Sequence, residues 1–129
     1  MHPISLRLFE AYQELYDKGQ VSFLLQDVHK KALDSVVKTV NATYFGFDRF
    51  PTPEDKAAAY LCFLIKDHPL TDGNKRLALL WFEAFCLSMD LKPHTPRSGW
   101  DAFVVTIEQN KEPMELLMKE VKNGLFFSR

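Results

Sequence analysis

The stretch from His68 to Leu87 constrains the fold of this chain more than any other. Asp72, Gly73 and Asn74 are turn formers, and behind them Leu77-Ala78-Leu79-Leu80-Trp81-Phe82 opens an apolar run with the length and composition of a helix interior. That helix, from Asn74 to about Met89, is apolar on every side except Glu83, so other elements must cover it all round. The expectation is therefore an all-α bundle of about six helices with this fourth helix at its centre. A length of 129 residues suits a single domain, 1–129, with one core.

Ahead of it, Leu8, Tyr12 and Leu15 keep helical spacing between Ile4 and Tyr16, with Ala11 alongside, and Lys18-Gly19 supplies a stop. A second helix is predicted from Val21 to about Val40 on a stripe of Leu25, Val28, Ala32, Val36 and Val40, with Asp27, Lys30, Lys31, Asp34 and Lys38 facing out. His29 borders that stripe with no metal-binding neighbour at helical spacing, and reads as a half-buried or surface side chain. Residues 41–51 lose the periodicity and gain aromatics, a Gly and a Pro, as a loop or short hairpin does. Most of Tyr44, Phe45, Phe47 and Phe50 are expected to pack that loop onto the core.

Thr52-Pro53-Glu54-Asp55 joins a cap, a proline at the first position and two acids at the positive end of the helix dipole. The third helix starts there and runs to about Lys66, with Ala57, Leu61 and Leu64 on its buried face. Pro69 keeps His68 out of the α region and so places it in the loop between helices three and four. After a connector from Lys92 to Gly99, Ser98 and Asp101 have capping-box spacing for a fifth helix to about Gln109, ended by Asn110. Pro113 begins a sixth on Met114, Leu117, Met118 and Val121, stopped by Asn123-Gly124. Leu125-Phe126-Phe127 either folds back onto the core or marks the place where a longer protein was cut.

Composition excludes several functions. Sixteen Lys plus Arg against seventeen Asp plus Glu give a net charge of −1, with no global field for a nucleic-acid backbone or an anionic membrane. The nearly uncharged run 77–89 falls short of the roughly 18–20 residues that cross a bilayer. Cys62 and Cys86 lie in apolar helical stretches without metal spacing and read as reduced core residues. A soluble, cytoplasmic protein is expected. The chain has no repeat, P-loop or zinc spacing.

The chemistry is concentrated in nine residues. A helix N-terminus with unpaired N–H groups, a positive dipole end and Gly73 for close approach suits a phosphate. Lys75 adds a point charge and Arg76 a planar fork, cations that run against the dipole unless an anion visits. Asp72 has the wrong sign for an anion and the right one for Mg²⁺, which takes one or two carboxylates together with phosphate oxygens. His68 is the nearby side chain able to accept a proton near neutral pH. Base, metal ligand and anion cradle together describe phosphoryl or nucleotidyl transfer; singly, each residue has an ordinary loop or cap reading.

At these positions the chain resembles the Fic/Doc family, whose motif reads His-x-Phe-x-Asp/Glu-Gly-Asn-Gly/Lys-Arg. His68-Pro69-Leu70-Thr71-Asp72-Gly73-Asn74-Lys75-Arg76 departs from it at Leu70, an exchange that alters packing more than chemistry. Lys75 looks like the Doc (death-on-curing) branch, and Leu79 stands where many AMP-transferring members carry a second Arg. The resemblance extends less specifically to the helix of residues 53–60 and to the total length.

It implies a Fic/Doc-like fold, ATP and Mg²⁺ as cofactors, and a target protein modified on a Ser or Thr hydroxyl, a translation factor being one target class. His68 would be the catalytic base, Asp72 the metal ligand, and Gly73, Asn74, Lys75 and Arg76 the nucleotide cradle. It also implies a flap near residues 41–51 that aligns the target by strand addition. Phosphoryl transfer is favoured; AMP transfer, or a binding module that has lost turnover, are the alternatives. The inhibitory pattern Ser/Thr-x-x-x-Glu-Gly/Asn is missing, since Thr106-Ile107-Glu108-Gln109-Asn110 has no Glu at the required place. Restraint of a toxic activity would then come from a separate antitoxin that folds into a groove beside the His68 loop, edged by the 41–51 aromatics.

Overall fold

The computed structural model describes residues 1–127. Their element order is α1 (Pro3–Asp17), α2 (Asp27–Val40), β1 (Thr43–Tyr44), β2 (Phe47–Asp48), α3 (Pro53–Lys66), α4 (Asn74–Ser88), α5 (Trp100–Gln109) and α6 (Met114–Phe126). The fold is all-α with one two-stranded hairpin, as expected.

The centre of the bundle is α3 rather than α4. Every residue from Ala57 to Ile65 is buried, and α3 packs against α2, α4, α5 and α6. Fully burying Leu61, Leu64 and Ile65 stabilises the fold by about 1.5–3 kcal/mol each. The capping box at its start forms, with the Asp55 N–H donating to Thr52 Oγ1 at 3.0 Å and the Thr52 N–H to Asp55 Oδ2 at 3.3 Å. In contrast α4 buries Leu77, Ala78, Trp81, Phe82 and Cys86 and turns Glu83, Ala84 and Leu87 to solvent, so it is covered on one side only.

The second helix begins six residues later than its periodicity suggested. Residues 21–26 instead cross over α1: Val21 is buried, Tyr12 donates its hydroxyl proton to the Phe23 carbonyl at 2.7 Å, and the two rings lie 5.6 Å apart. The buried stripe of α2 is Leu33, Val36, Val37 and Val40, which leaves Val28 exposed. Asp34, expected to face out, lies on this buried side. Burial there pushes its carboxyl up, but hydrogen bonds from Ser5, Lys38 and the His2 N–H more than reverse this and hold it at about 2.

Two caps also differ. Gly99, not Ser98, is the N-cap of α5, so Ser98 stands one residue too early and no side chain caps that helix. Asn123-Gly124 does not stop α6, because Leu125 is buried and the Phe126 ring lies 6.4 Å from that of Phe82, so continuing the helix gains apolar contact. Leu125 and Phe126 thus fold onto the core. Cys62 and Cys86 are buried, and burial pushes each thiol up to about 12.

The hairpin pairs Thr43 with Asp48 and Tyr44 with Phe47. Phe45 (φ 52°) and Gly46 (φ 82°) form its turn, both left-handed as a type I′ turn requires. Of its aromatics only Phe50 packs inward, 6.3 Å from the Phe63 ring; Tyr44, Phe45 and Phe47 are exposed, against the expectation that most of them face the core.

Candidate active site

The loop between α3 and α4 carries His68, Asp72 and Gly73, and the first turn of α4 carries Asn74, Lys75 and Arg76; the conformation of the loop is fixed by two local features. Gly73 is the N-cap of α4 at φ 82°, a conformation that disfavours a side chain. A Cβ there would lie 2.6 Å from Val21 Cγ1, so the 21–26 segment packs directly on the glycine. Asn74 then closes the loop with its side chain: Oδ1 accepts from the Leu70 N–H at 2.9 Å and Nδ2 donates to the Leu70 carbonyl at 3.0 Å. Leu70 itself is buried, consistent with a packing role at that position.

With its carboxamide engaged, Asn74 offers an anion its backbone N–H. No side chain caps α4, so the first-turn N–H groups of Asn74, Lys75 and Arg76 have no intrahelical acceptor and the positive dipole end is free. Arg76, Asp72 and Gly73 line a cleft of about 270 Å³ whose opposite wall is Gly19, Gln20, Val21 and Ser22. That volume suits a phosphate end rather than a whole nucleotide. Arg76 Nη1 donates to the Gln20 carbonyl at 2.6 Å, which spans the cleft and leaves the rest of the fork available. The ammonium of Lys75 instead pairs with Glu108 of α5 at 3.0 Å.

His68 is exposed and sits at φ 47°, a left-handed conformation in which backbone strain is held by the flanking structure. Its side chain makes no hydrogen bond among the described residues and is open to a partner. Burial raises the carboxyl of neighbouring Asp67, and charge on His68 works against that shift. Asp72 is exposed and neither bonded nor ion-paired among the described residues. Burial pushes the Tyr12 phenol up, and the charge of Asp72 adds to the effect. A third tie reaches the loop from α2. His29 Nδ1 accepts the Gln26 N–H at 3.1 Å, so in the neutral ring Nε2 carries the proton and donates to Thr71 Oγ1, also at 3.1 Å.

Sequence reasoning missed the 19–22 wall, the His29 tie and Glu108. The first had a signal: Asp27 is an acid suited to the first turn of a helix starting there, which would have left 19–26 as a loop. A separate apolar groove of about 560 Å³ runs between α1 and α4, lined by Ile4, Ala11, Leu80, Trp81, Phe85 and Met89 among others. The Trp81 indole N–H, buried in its wall, has no acceptor among the described residues.

The family model described as Fic/DOC family matches residues 4–86, a span that holds nearly all of α1, then α2, the hairpin, α3, the loop and nearly all of α4. The chain belongs to the Fic/DOC family. It is also similar to a protein named Toxin Doc from Mycolicibacterium smegmatis (strain ATCC 700084 / mc(2)155), 50% identical over 46 residues, which is 36% of this chain and 35% of that relative. The match thus spans about a third of the relative's length. No solved structure matches.

Proposed function

We propose that this chain transfers the γ-phosphoryl group of ATP to a Ser or Thr hydroxyl of a target protein. The observation that carries the reading is the uncapped first turn of α4, where Gly73, Asp72 and Arg76 line one cleft, with His68 on the same loop in a left-handed conformation. In this reading the N–H groups of Asn74, Lys75 and Arg76, with the Arg76 guanidinium, hold phosphate oxygens and stabilise the charge that develops on them. His68 takes the proton of the target hydroxyl as its oxygen bonds to phosphorus and the bond to the departing nucleoside diphosphate breaks.

No cluster of three or more His, Cys, Asp or Glu able to hold a metal occurs among the described residues. An exposed, unpaired Asp72 beside a phosphate cleft fits Mg²⁺ held jointly by protein and polyphosphate rather than in a protein cage. Asp72 would hold that ion, which supplies neutralisation of phosphate charge.

The exposed hairpin fits alignment of an extended target segment, with Tyr44, Phe45 and Phe47 available to its side chains. AMP transfer is disfavoured by Leu79, which packs against the core where the resemblance calls for a second arginine. The test is ATP labelled on the γ- or the α-phosphate, incubated with a bacterial lysate and the protein. Label from the γ position on a protein band is expected; label from the α position means AMP transfer, and label from neither rejects the enzyme.

We read the chain further as the toxin of a toxin–antitoxin pair acting in the cytoplasm, a role suggested by the relative's name. The apolar α1/α4 groove, rather than one beside the His68 loop, supports a separate partner whose segment folds on binding. No helix among the described residues is long and apolar enough to cross a membrane. Expression of the chain alone is expected to slow bacterial growth, and His68→Ala to abolish the effect. Growth equal to that of the variant, with soluble protein confirmed, removes the toxin role and leaves the transferase.

A further inference from the structure

The active loop hangs between two lysines that reach the same place. Lys66, in the last turn of α3, donates from Nζ to the backbone carbonyls of Glu108 at 3.1 Å and Asn110 at 2.6 Å. Lys75, in the first turn of α4, donates from Nζ to both carboxylate oxygens of Glu108 at 3.2 and 3.0 Å. Glu108 therefore meets the chain on either side of the loop, with its carbonyl on the entering side and its carboxylate on the leaving side.

The contacts have a common electrostatic cause. Lys66 satisfies carbonyls at the negative end of α5, which have no acceptor role within that helix. A carboxylate in the last turn of α5 and an ammonium in the first turn of α4 each stand at the unfavourable end of their own helix dipole, and pairing them relieves both. The pair is partly accessible, with side chains 39% and 30% exposed, so its strength is modest and local. Between the two tethers lies the Asn74–Leu70 closure, which needs the loop ends at a fixed separation to form both of its bonds.

We propose that Glu108 is a positioning residue of the active site, clamping both ends of the loop through Lys66 and Lys75. The ammonium of Lys75 is a tether, and phosphate binding falls to Arg76 and the first-turn N–H groups. This rests on reading residues 68–76 as the phosphate site.

Two measurements on the full chain test it: amide hydrogen exchange at Leu70, and calorimetric binding of Mg²⁺–ATP. Glu108→Gln keeps the shape and removes the charge, so it spares the fold; it is expected to speed Leu70 exchange about five-fold, as loss of a partly exposed ion pair allows. Nucleotide affinity should fall as well, but by less than that factor, since binding follows the closed fraction of the loop and exchange the open one. Lys75→Met should match it in both readouts, and the double variant should be no worse than either single one.

Tighter nucleotide binding in Glu108→Gln would make the carboxylate a competitor and overturn the proposal. So would a much larger affinity loss in Lys75→Met than in Glu108→Gln, which would make Lys75 a phosphate ligand. Unchanged Leu70 exchange in both variants also overturns it. Wild-type protein that binds no nucleotide counts against the phosphate site, while the exchange measurement still decides the clamp.

Discussion

Replacing Gly73 by alanine tests whether the loop and the 21–26 segment are built on each other. Two costs are expected. A non-glycine residue in the left-handed region costs about 1–2 kcal/mol. The added Cβ also falls 2.6 Å from Val21 Cγ1, and forcing a methyl into a packed contact costs about 1–3 kcal/mol. Gly46 provides the control, because it has the same φ of 82° with nothing within 4 Å of an added Cβ. Gly46→Ala should therefore show the backbone cost alone, and Gly73→Ala about 2–5 kcal/mol in total, a large part of the roughly 5–15 kcal/mol that stabilises a domain.

Urea unfolding followed by circular dichroism measures both. At an m-value of about 2 kcal/mol/M, the Gly73→Ala midpoint should fall by about 1–2.5 M and that of Gly46→Ala by at most about 1 M. In a Val21→Ala background the clash has no partner, so Gly73→Ala should cost no more than Gly46→Ala does. Equal costs for the two glycines in the parent chain, or no relief in the Val21→Ala background, would refute the close packing of the loop on residues 21–26.

Three further outcomes follow from the site and the core. His68→Ala should leave stability and nucleotide affinity nearly intact and lower transfer by about 10²-fold or more, as removal of a general base does; lost ATP binding in calorimetry would show that the residue has another role. Asp72→Asn should weaken binding of Mg²⁺–ATP but not of metal-free ATP, and equal affinity across a Mg²⁺ titration would contradict the metal assignment. Asp34 is held at about 2 in the fold against an ordinary value near 4, so its stabilisation is present above about pH 4 and lost as the pH falls towards 2. Allowing for solvent at its rim this is about 1–2 kcal/mol, and Asp34→Asn should flatten the acid limb of a stability–pH profile by that amount.

The sequence carried the loop well and its surroundings poorly, for physical reasons. A proline, a glycine and a run of turn formers act on their own backbone, so the placing of His68 between two helices and of Gly73 at the α4 N-terminus was legible locally. The central position of α3 was legible too, since Ala57 to Ile65 is apolar without interruption; the error was to read one face of a run that has no polar face. The start of α2 was misplaced because Leu25 and Val28 continue a helical spacing that the packing of Val21 and Phe23 on α1 and Gly73 overrides. Contacts such as Lys75–Glu108, 33 residues apart, depend on how α4 and α5 cross and leave no mark in periodicity. They decide what each charged side chain of the site is free to do.

The central claim is that the His68–Arg76 loop transfers a phosphoryl group to a protein hydroxyl. It is tested most directly by mass spectrometry of a bacterial lysate incubated with ATP and Mg²⁺, with wild-type protein or its His68→Ala variant. The account predicts one or a few proteins gaining the mass of a phosphoryl group on Ser or Thr with the wild type and not with the variant. A gain of AMP mass, the same gain with both proteins, or no modified protein in the presence of folded enzyme would contradict it.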